Sequence, residues 1–327
     1  MAAKSRFNRL KHTISLLAVA TACAFGLARA DAAQTLRVGK AVPEAFSFVP
    51  LDVGMEKGFF KQNGIAVKEY AFAGDAKMQQ AMASDSLDIG LGSGPAMAFI
   101  VKGAPVKAVA AMAGRPLVLM LIVRPDGPKT VAELKGKRVS VSTPGSLTYW
   151  LVSETSRQHG WGAHGIDIAP MGAAAGQIAA LERHDIDGVV TDVSTALDLV
   201  KRGKARILLR FGNIVNDFHV HVIYATNKLI ASKPDAISGF LKGWFETIAF
   251  MRSNKAATVA VGARVLHKQA DIVSETYDEV MPMFSTDGRF NPKALDTLAR
   301  SWVDLKILPK APDLDLLYTQ AFLPPAQ

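Results

Sequence analysis

Cysteine is almost absent from this 327-residue chain: Cys23 is the single one, and it falls in an N-terminal segment that resembles an export signal. Removal of that segment leaves no cysteine, which excludes disulfides, thiolate metal sites and cysteine nucleophiles. No run of five or six like charges occurs, so nucleic acid is a poor candidate partner. After residue 30 no apolar stretch reaches the roughly 20 residues of a membrane-spanning helix. We expect a soluble exported protein without stable membrane insertion.

The N-terminal segment has the three parts of a cleaved signal peptide. A basic start at residues 4–11 precedes an apolar run at 14–27, and Ala28-Arg29-Ala30 supplies the small residues of a cleavage site. We therefore expect a signal peptide over residues 1–30 and a periplasmic protein. A lipoprotein signal usually has leucine where Ala20 stands, so the sequence favours cleavage over a lipid anchor at Cys23. Removal of five of the 38 basic residues and none of the 29 acidic ones leaves 33 against 29, a net charge of +4.

Motifs of catalysis are missing as well. The chain has no G-x-S-x-G, H-E-x-x-H, Walker loop or helix-opening G-x-G-x-x-G. Isolated acids such as Glu44 and Asp75 have no visible partner for acid–base work. His219 and His221 are predicted to share one face of a strand, but no third metal ligand stands at a recognisable spacing. We expect no enzyme, no metal and no cofactor, and we interpret these histidines as structural or pocket-lining.

Residues 86–95, Ser-Leu-Asp-Ile-Gly-Leu-Gly-Ser-Gly-Pro, are the most informative stretch that is present. Apolar residues alternate as in a strand, Gly92-Ser93-Gly94 ends it, and Pro95 suits the first position of a helix. Such a turn leaves backbone N–H groups directed outward at the positive end of a helix. Together with the Ser93 hydroxyl they favour an oxyanion. An ordinary strand–helix turn would use the same residues and remains the alternative.

The same order of elements recurs about a hundred residues further on. Residues 64–67 match 165–168 at an offset of 101, and residues 81–89 match 180–188 at an offset of 99. Alternating strands and helices in two similar units predict α/β architecture with mainly parallel sheets. From residue 233 the pattern is helical, with helices predicted at 234–253, 256–265, 272–281 and 292–305. We expect these helices to pack on the first unit.

Ligands of open α/β sheets bind beyond the carboxyl ends of the strands, which would place one between the Ser93 turn and the Thr143-Pro144-Gly145-Ser146 turn. Thr143 and Ser146 would also serve as ordinary helix caps. Arg115 would grip a carboxylate or sulfonate, or else be a solvated surface residue. Asp192 would meet a ligand amine or hydroxyl, or cap a helix. The candidate ligand-binding residues are Glu44, Phe46, Ser47, Ser93, Gly94, Pro95, Arg115, Thr143, Gly145, Ser146, Thr148, Asp192 and His219.

Several blocks resemble one known family. Residues 53–65, Val-Gly-Met-Glu-Lys-Gly-Phe-Phe-Lys-Gln-Asn-Gly-Ile, are similar to a signature of the nitrate/sulfonate/taurine periplasmic solute-binding proteins of ABC transporters. Residues 102–107 and 131–139 and the turn at 143–146 fit later blocks of that family. The family also includes carriers of thiamin-precursor pyrimidines. Where it usually has an acid–proline pair, this chain has Val193-Ser194, with Asp192 just before.

The resemblance implies a type II periplasmic binding protein fold, with two α/β lobes joined by two crossing strands and C-terminal helices on lobe 1. Lobe 1 would comprise residues 31–120 and 224–327, and lobe 2 residues 121–223. A monomer would close by a hinge on a small organic anion of the sulfonate, taurine, nitrate or carboxylate type and deliver it to an ABC permease and its ATPase. The alternatives are a binder of an aminopyrimidine thiamin precursor, an enzyme, or a protein that hands its ligand to a membrane receptor. Enzyme relatives of this fold carry a cysteine-rich motif, which this chain lacks.

Overall fold

Two five-stranded sheets with helices on both faces form the part of the protein that the computed structural model describes, residues 33–144 and 146–325. The predicted signal peptide, Cys23 and Gly145 lie outside the described residues. The strands within those ranges are β1 (Gln34–Lys40), β2 (Ile65–Ala71), β3 (Ile89–Ser93), β4 (Val106–Ala113), β5 (Leu119–Val123), β6 (Arg138–Val141), β7 (Asp167–Pro170), β8 (Gly188–Asp192), β9 (Arg206–Arg210) and β10 (His221–Thr226).

The helices follow the strands as the alternating sequence pattern predicts. Those of the described residues are α1 (Val49–Lys57), α2 (Phe59–Gln62), α3 (Asp75–Ala83), α4 (Ala98–Val101), α5 (Leu147–Gln158), α6 (Ala174–Glu182), α7 (Val193–Lys201), α8 (Asn227–Ser232), α9 (Pro234–Ser253), α10 (Lys255–Leu266), α11 (Ala270–Val280) and α12 (Pro292–Asp304). Helices α1 and α2 follow one another with a single residue between them. Gly58 adopts a left-handed conformation with φ of 78° and separates α1 from α2.

Both sheets have the same strand order. The first is β2-β1-β3-β10-β4 and the second is β7-β6-β8-β5-β9, so that β7, β6, β8, β5 and β9 take the places of β2, β1, β3, β10 and β4. The central strands are parallel, and each sheet has one strand that runs antiparallel to both of its neighbours: β10 in the first and β5 in the second. This shared order is the architecture that the repeat in the sequence predicted.

The chain passes between the sheets twice. It leaves the first sheet after β4 and enters the second at β5, and it returns between β9 and β10. The two passages are residues 114–118 and 211–220. The lobe boundaries at residues 120 and 224 stay a prediction.

The C-terminal helices cover both faces of the first sheet. Helices α9 and α10 pack on α1 on one face, and α12 packs on the other face, beside the turn that follows β3. Two of them also reach the second sheet. Helix α11 packs on α7, and the end of α12 contacts α5, where the Arg157 guanidinium lies 3.0 Å from the Asp304 carboxylate. The expectation that these helices pack on the first unit is therefore incomplete.

Within residues 33–144 and 146–325, no helix combines the length and the apolar character needed to cross a bilayer.

Candidate functional site

The carboxyl ends of β1, β3, β6 and β8 form the edge at which open α/β sheets generally bind ligands, because helices leave the parallel strands there in opposite directions. Most of the predicted ligand-binding residues lie at these ends or in the two passages between the sheets.

The donors of the Ser93 turn are already used inside the protein. The Ser93 amide donates to Asp75 Oδ1 at 2.9 Å, and the Ser93 hydroxyl donates to Asp75 Oδ2 at 2.8 Å. The Gly94 amide donates to the carbonyl of Val220 at 3.0 Å. The prediction that these donors point outward is therefore wrong, because the carboxylate of Asp75, the first residue of α3, accepts both hydrogen bonds from Ser93.

Gly94 and Pro95 are fixed by their neighbours. A β-carbon on Gly94 would lie 1.9 Å from the carbonyl oxygen of His219, so the close approach of the two backbones requires glycine. The Pro95 carbonyl accepts a hydrogen bond from the Trp302 indole at 3.0 Å. Both residues thus serve the packing of this turn against α12, and their predicted contact with a ligand stays a prediction.

The two histidines face different surroundings, so the prediction that they share one face is wrong. His219 is buried beside Phe290, with ring centroids 5.3 Å apart, and its Nε2 accepts the Asn291 amide at 2.9 Å. His221 instead meets Phe48 edge to face at 4.9 Å. The difference arises because β10 begins only at His221 and its pairing with β4 is irregular there.

Burial keeps both imidazoles neutral. Desolvation lowers the pKa of His219 to about 4, although the bond from Asn291 opposes it. Desolvation alone lowers the pKa of His221 to about 3. Neither Nδ1 has a hydrogen-bond partner among the described residues.

Asp75, Ser93 and His221 all lie at the carboxyl end of β3, and we call these three residues the rim cluster, although the Asp75 carboxylate lies beside Gly92 and Tyr224 and only Ser93 bonds to it. His221 lies directly opposite Ser93 in the antiparallel ladder, which puts both side chains on one face of the sheet. All three residues are half-buried, whereas the rest of β10 is buried. Beneath them, the buried Tyr224 hydroxyl donates to the Ser93 carbonyl at 2.6 Å. Burial raises the pKa of Asp75, against the effect of its two bonds from Ser93.

The rim cluster contains the residue types of a hydrolytic triad in a different arrangement. A serine nucleophile requires a histidine base within hydrogen-bond reach, with the carboxylate behind the histidine. Here Ser93 donates directly to Asp75, and no hydrogen bond joins His221 to either residue. The geometry is that of a polar surface and not of an activated serine.

The second turn keeps its donors. Ser146 is the N-cap of α5, and its hydroxyl accepts the Tyr149 amide at 3.2 Å. Thr148 Oγ1 lies 2.9 Å from Ser146 Oγ and 3.0 Å from Ser142 Oγ, which makes a chain of three hydroxyls. The capping role predicted for Ser146 is thus present. The amides of Leu147 and Thr148 have no partner among the described residues, as is usual in the first turn of a helix.

Asp192 and Thr143 flank this second region. Asp192 caps α7, since its Oδ1 accepts the Thr195 amide at 3.1 Å and the Ser194 hydroxyl at 2.6 Å. Its Oδ2 has no hydrogen bond within the described part of the chain. Thr143 is exposed. The capping alternative for Asp192 is observed, and its contact with a ligand stays a prediction.

Arg115 lies in the passage between β4 and β5, with its side chain 72% exposed and one guanidinium nitrogen 3.9 Å from Asp217 Oδ1. In the loop after β1, Glu44 is exposed, whereas Phe46 and Ser47 are buried. Phe46 meets Tyr277 edge to face, with centroids 6.4 Å apart. The structure thus places Phe46 in the core between α1 and α11.

One charged group was missed by the sequence reasoning. Lys40 ends β1, is 3% exposed, and lies 2.7 Å from both Asp52 Oδ2 and Glu69 Oε1. Burial raises the pKa of Asp52, and the nearby Lys40 opposes this. Lys40 is the last residue of a predicted strand, and that position is the sequence signal that could have indicated it. With two carboxylates beside it, Lys40 is satisfied within the protein.

Among residues 33–144 and 146–325, no group of three or more histidine, cysteine, aspartate or glutamate side chains is arranged to hold a metal ion.

Two α/β sheets of this strand order, with helix N-termini at their carboxyl ends, define a periplasmic-binding-protein fold. The periplasmic aliphatic sulphonate binding protein SsuA from Escherichia coli has this fold. It superposes with a TM-score of 0.74 at 19% identity, over 88% of this chain and 92% of that one. A second similar structure is the ligand-binding component of an ABC-type import system from Staphylococcus aureus, which has zinc bound. It superposes with a TM-score of 0.75 at 16% identity, over 88% of this chain and 97% of that one.

The sequence comparison identifies the family. A model of the family described as "NMT1/THI5 like" matches residues 45–257. This chain therefore belongs to the NMT1/THI5-like family. A Haemophilus influenzae protein whose name places it in thiamine biosynthesis is 28% identical over 94 residues, which is 28% of this chain and 30% of that protein. The fold also occurs in an enzyme. The desulfurization enzyme DSZB superposes with a TM-score of 0.62 at 16% identity, over 88% of this chain and 97% of that one.

Proposed function

We propose that this protein is the exported solute-binding component of an ABC importer. It captures a small organic anion between the two sheets and delivers it to a permease. The family and the fold support this role, since the similar solved structures include binding proteins of periplasmic and ABC-import systems. The ligand anion, the permease with its ATPase, the periplasmic location and the monomeric state are all part of the proposal.

The N-terminus of α5 is the observation that carries the anion assignment. The amides of Leu147 and Thr148 and the hydroxyls of Ser146 and Thr148 converge at the positive end of a 12-residue helix. Such an end binds carboxylate, sulfonate or phosphate groups through its free donors. At the corresponding end of β3 the Ser93 amide, the Ser93 hydroxyl and the Gly94 amide are all bonded within the protein, so the anionic group is held mainly by the second sheet.

Closure supplies the rest of the binding energy and the signal to the permease. Two sheets joined by two chain passages rotate about those passages, and a ligand that contacts both sheets stabilises the closed arrangement. The α11–α7 and α12–α5 contacts lie on opposite faces of the sheets and would guide that rotation.

A thermal-shift screen of residues 31–327 tests the proposal. The panel contains alkyl and aryl sulfonates, taurine, nitrate, bicarbonate, aromatic carboxylates and aminopyrimidines. A ligand at 100 times its Kd adds about 2.7 kcal/mol to the free energy of unfolding, which raises Tm measurably. Ser146→Ala should abolish the shift, whereas Thr226→Ala, which removes the N-cap of α8 in the first sheet, should retain it.

A second candidate function is binding of an aminopyrimidine related to thiamin. The Haemophilus influenzae relative and the name of the family favour it. A thermal shift with aminopyrimidines alone would support this candidate and contradict anion binding. We propose no enzymatic activity, because the rim cluster lacks the contact between base and nucleophile and the chain has no cysteine after Cys23.

A further inference from the structure

Charged side chains of α5 and α12 face each other in reciprocal pairs. Helix α5 supplies Glu154 and Arg157, and α12 supplies Arg300 and Asp304. The Arg157 guanidinium lies 3.0 Å from the Asp304 carboxylate, and the Arg300 guanidinium lies 3.7 Å from the Glu154 carboxylate. Within α5, Arg157 Nε lies 3.2 Å from Glu154 Oε2. Each helix thus contributes one acid and one base, and each acid meets the base of the other helix.

A buried tryptophan lies beneath these charges. The Trp150 indole donates to Asp304 Oδ2 at 3.2 Å, and the Arg300 guanidinium lies over the Trp150 ring, 5.9 Å from its centroid. The same ring stacks on Phe218, in the chain passage 211–220, with centroids 5.4 Å apart. Asp304 Oδ2 therefore accepts hydrogen bonds from two side chains of α5, Trp150 and Arg157, which tie the end of α12 to that helix.

The last turn of α12 contacts the ligand edge of the first sheet as well. The Trp302 indole donates to the Pro95 carbonyl, in the turn after β3, at 3.0 Å. Two residues further on, Asp304 holds α5, the helix that begins with the proposed anion site. One helical turn therefore connects the turn after β3 with the helix that carries the anion donors.

The opposite face of the two sheets is held in another way. There α11 packs on α7 through apolar side chains of one buried cluster. The ion pairs of that face, Lys201–Asp271 and Arg210–Glu279, have side chains that are 31–55% exposed. Charges that water screens this well attract each other weakly, so apolar packing holds the α7–α11 contact. The α5–α12 contact depends on charge instead.

We propose that Glu154, Arg157, Arg300 and Asp304 form an electrostatic clasp that holds α5 against α12, with Asp304 as its positioning residue. When the clasp is lost, the second sheet turns about the α7–α11 contact, and the α5 N-terminus moves relative to the turn after β3. The effect of the clasp on ligand capture rests on the proposed function, whereas the clasp itself follows from these contacts.

The distance between two spin labels tests the clasp without any ligand. Residues 31–327 contain no cysteine, so the substitutions Ala76→Cys and Ala175→Cys provide the two attachment points. Both alanines are exposed in the first turns of α3 and α6, at the carboxyl ends of the strands of the two sheets. Pulsed electron paramagnetic resonance then measures the separation of the two ligand edges.

Asp304→Asn is the decisive variant, because it keeps an acceptor for the Trp150 indole and removes the charge that pairs with Arg157. We expect its mean label distance to differ from that of wild type by roughly 2 Å or more, the scale of helix shifts at interfaces. Arg157→Gln removes the other charge of the pair, should change the distance in the same direction, and serves if Asp304→Asn does not fold. Asp296→Asn, at an exposed position of α12, is the matched control and should leave the distance unchanged.

Salt provides a second test on the same labelled proteins. Raising NaCl to about 1 M shortens the Debye length to about 3 Å and weakens the clasp. The label distance of wild type should then move towards that of Asp304→Asn, whereas the distance in Asp304→Asn should change less.

Equal label distances in wild type, Asp304→Asn and Arg157→Gln would overturn the clasp, even if both variants had a lower Tm. An equal change in the Asp296→Asn control would overturn it too. A salt response as large in Asp304→Asn as in wild type would also contradict it, because the exposed pairs beside α7 would then carry that response. If no anion of the thermal-shift panel raised Tm, the proposed function would fail while the clasp stood, since the label distances are measured without ligand.

Discussion

His219 should make this protein less stable as the pH falls below neutrality. The pKa of His219 in the folded protein is lowered to about 4 from an ordinary value of 6.5. The folded state therefore favours the neutral ring, and unfolding takes up a proton. The stabilisation is fully present above pH 6.5 and is lost as the pH falls from 6.5 towards 4.

The magnitude follows from the two pKa values. Between pH 7 and pH 5 the unfolded histidine becomes almost fully protonated, whereas the folded one stays mostly neutral. His219 then contributes a loss of about 2 kcal/mol to the free energy of unfolding. The structural reason is that protonation of Nε2 would replace the acceptor of the Asn291 amide by a donor in a buried site.

Urea unfolding at pH 7 and pH 5 measures this effect in wild type and in His219→Gln. The glutamine oxygen is able to accept the Asn291 amide but does not titrate. We expect the variant to lose about 2 kcal/mol less than wild type between the two pH values. His164→Gln, at an exposed position, is the matched control and should behave as wild type. Equal losses in wild type and His219→Gln would refute the reasoning.

Two further predictions concern the space around two glycines and the hydrogen bond of a buried tryptophan. Gly94→Ala should lower the free energy of unfolding by about 3 kcal/mol, because its β-carbon would overlap the His219 carbonyl. Gly176→Ala in α6, where nothing lies within 4 Å of the added β-carbon, should raise the free energy of unfolding by roughly 0.5–1 kcal/mol. Denaturant titration measures both changes, and equal effects of the two variants would contradict the prediction. Asp304→Ala should cost about 1–3 kcal/mol, because the buried Trp150 indole loses its acceptor at 3.2 Å. Unchanged stability and unchanged tryptophan emission would contradict it.

Local patterns predicted the elements of the fold well. The helix expected at residues 234–253 has those bounds, and the one expected at 292–305 ends one residue earlier. Two similar α/β units were expected from the repeat, and both sheets have one strand order. These features depend on alternation, helical periodicity and turn residues, which are local properties of a chain.

The candidate site was predicted less well, because its chemistry depends on side chains that are distant in sequence. The Ser93 turn is where the pattern placed it, but its amide and hydroxyl donate to the carboxylate of Asp75, which is 18 residues away. Phe46 follows a strand as a pocket residue would, yet α11 covers it. Sequence alone gave no reason to prefer these partners over a ligand.

Short-range patterns and motif spacing were enough to predict the order of strands and helices, the repeat and the family, because each depends on residues close together in the chain. Which donors remain free depends on how distant segments pack. The helix that Ser146 caps begins with two amides that have no partner among residues 33–144 and 146–325, whereas Ser93 met a carboxylate from a neighbouring helix. The same kind of turn thus acquired opposite hydrogen-bonding character, because a buried donor takes whichever acceptor the packing brings within about 3 Å.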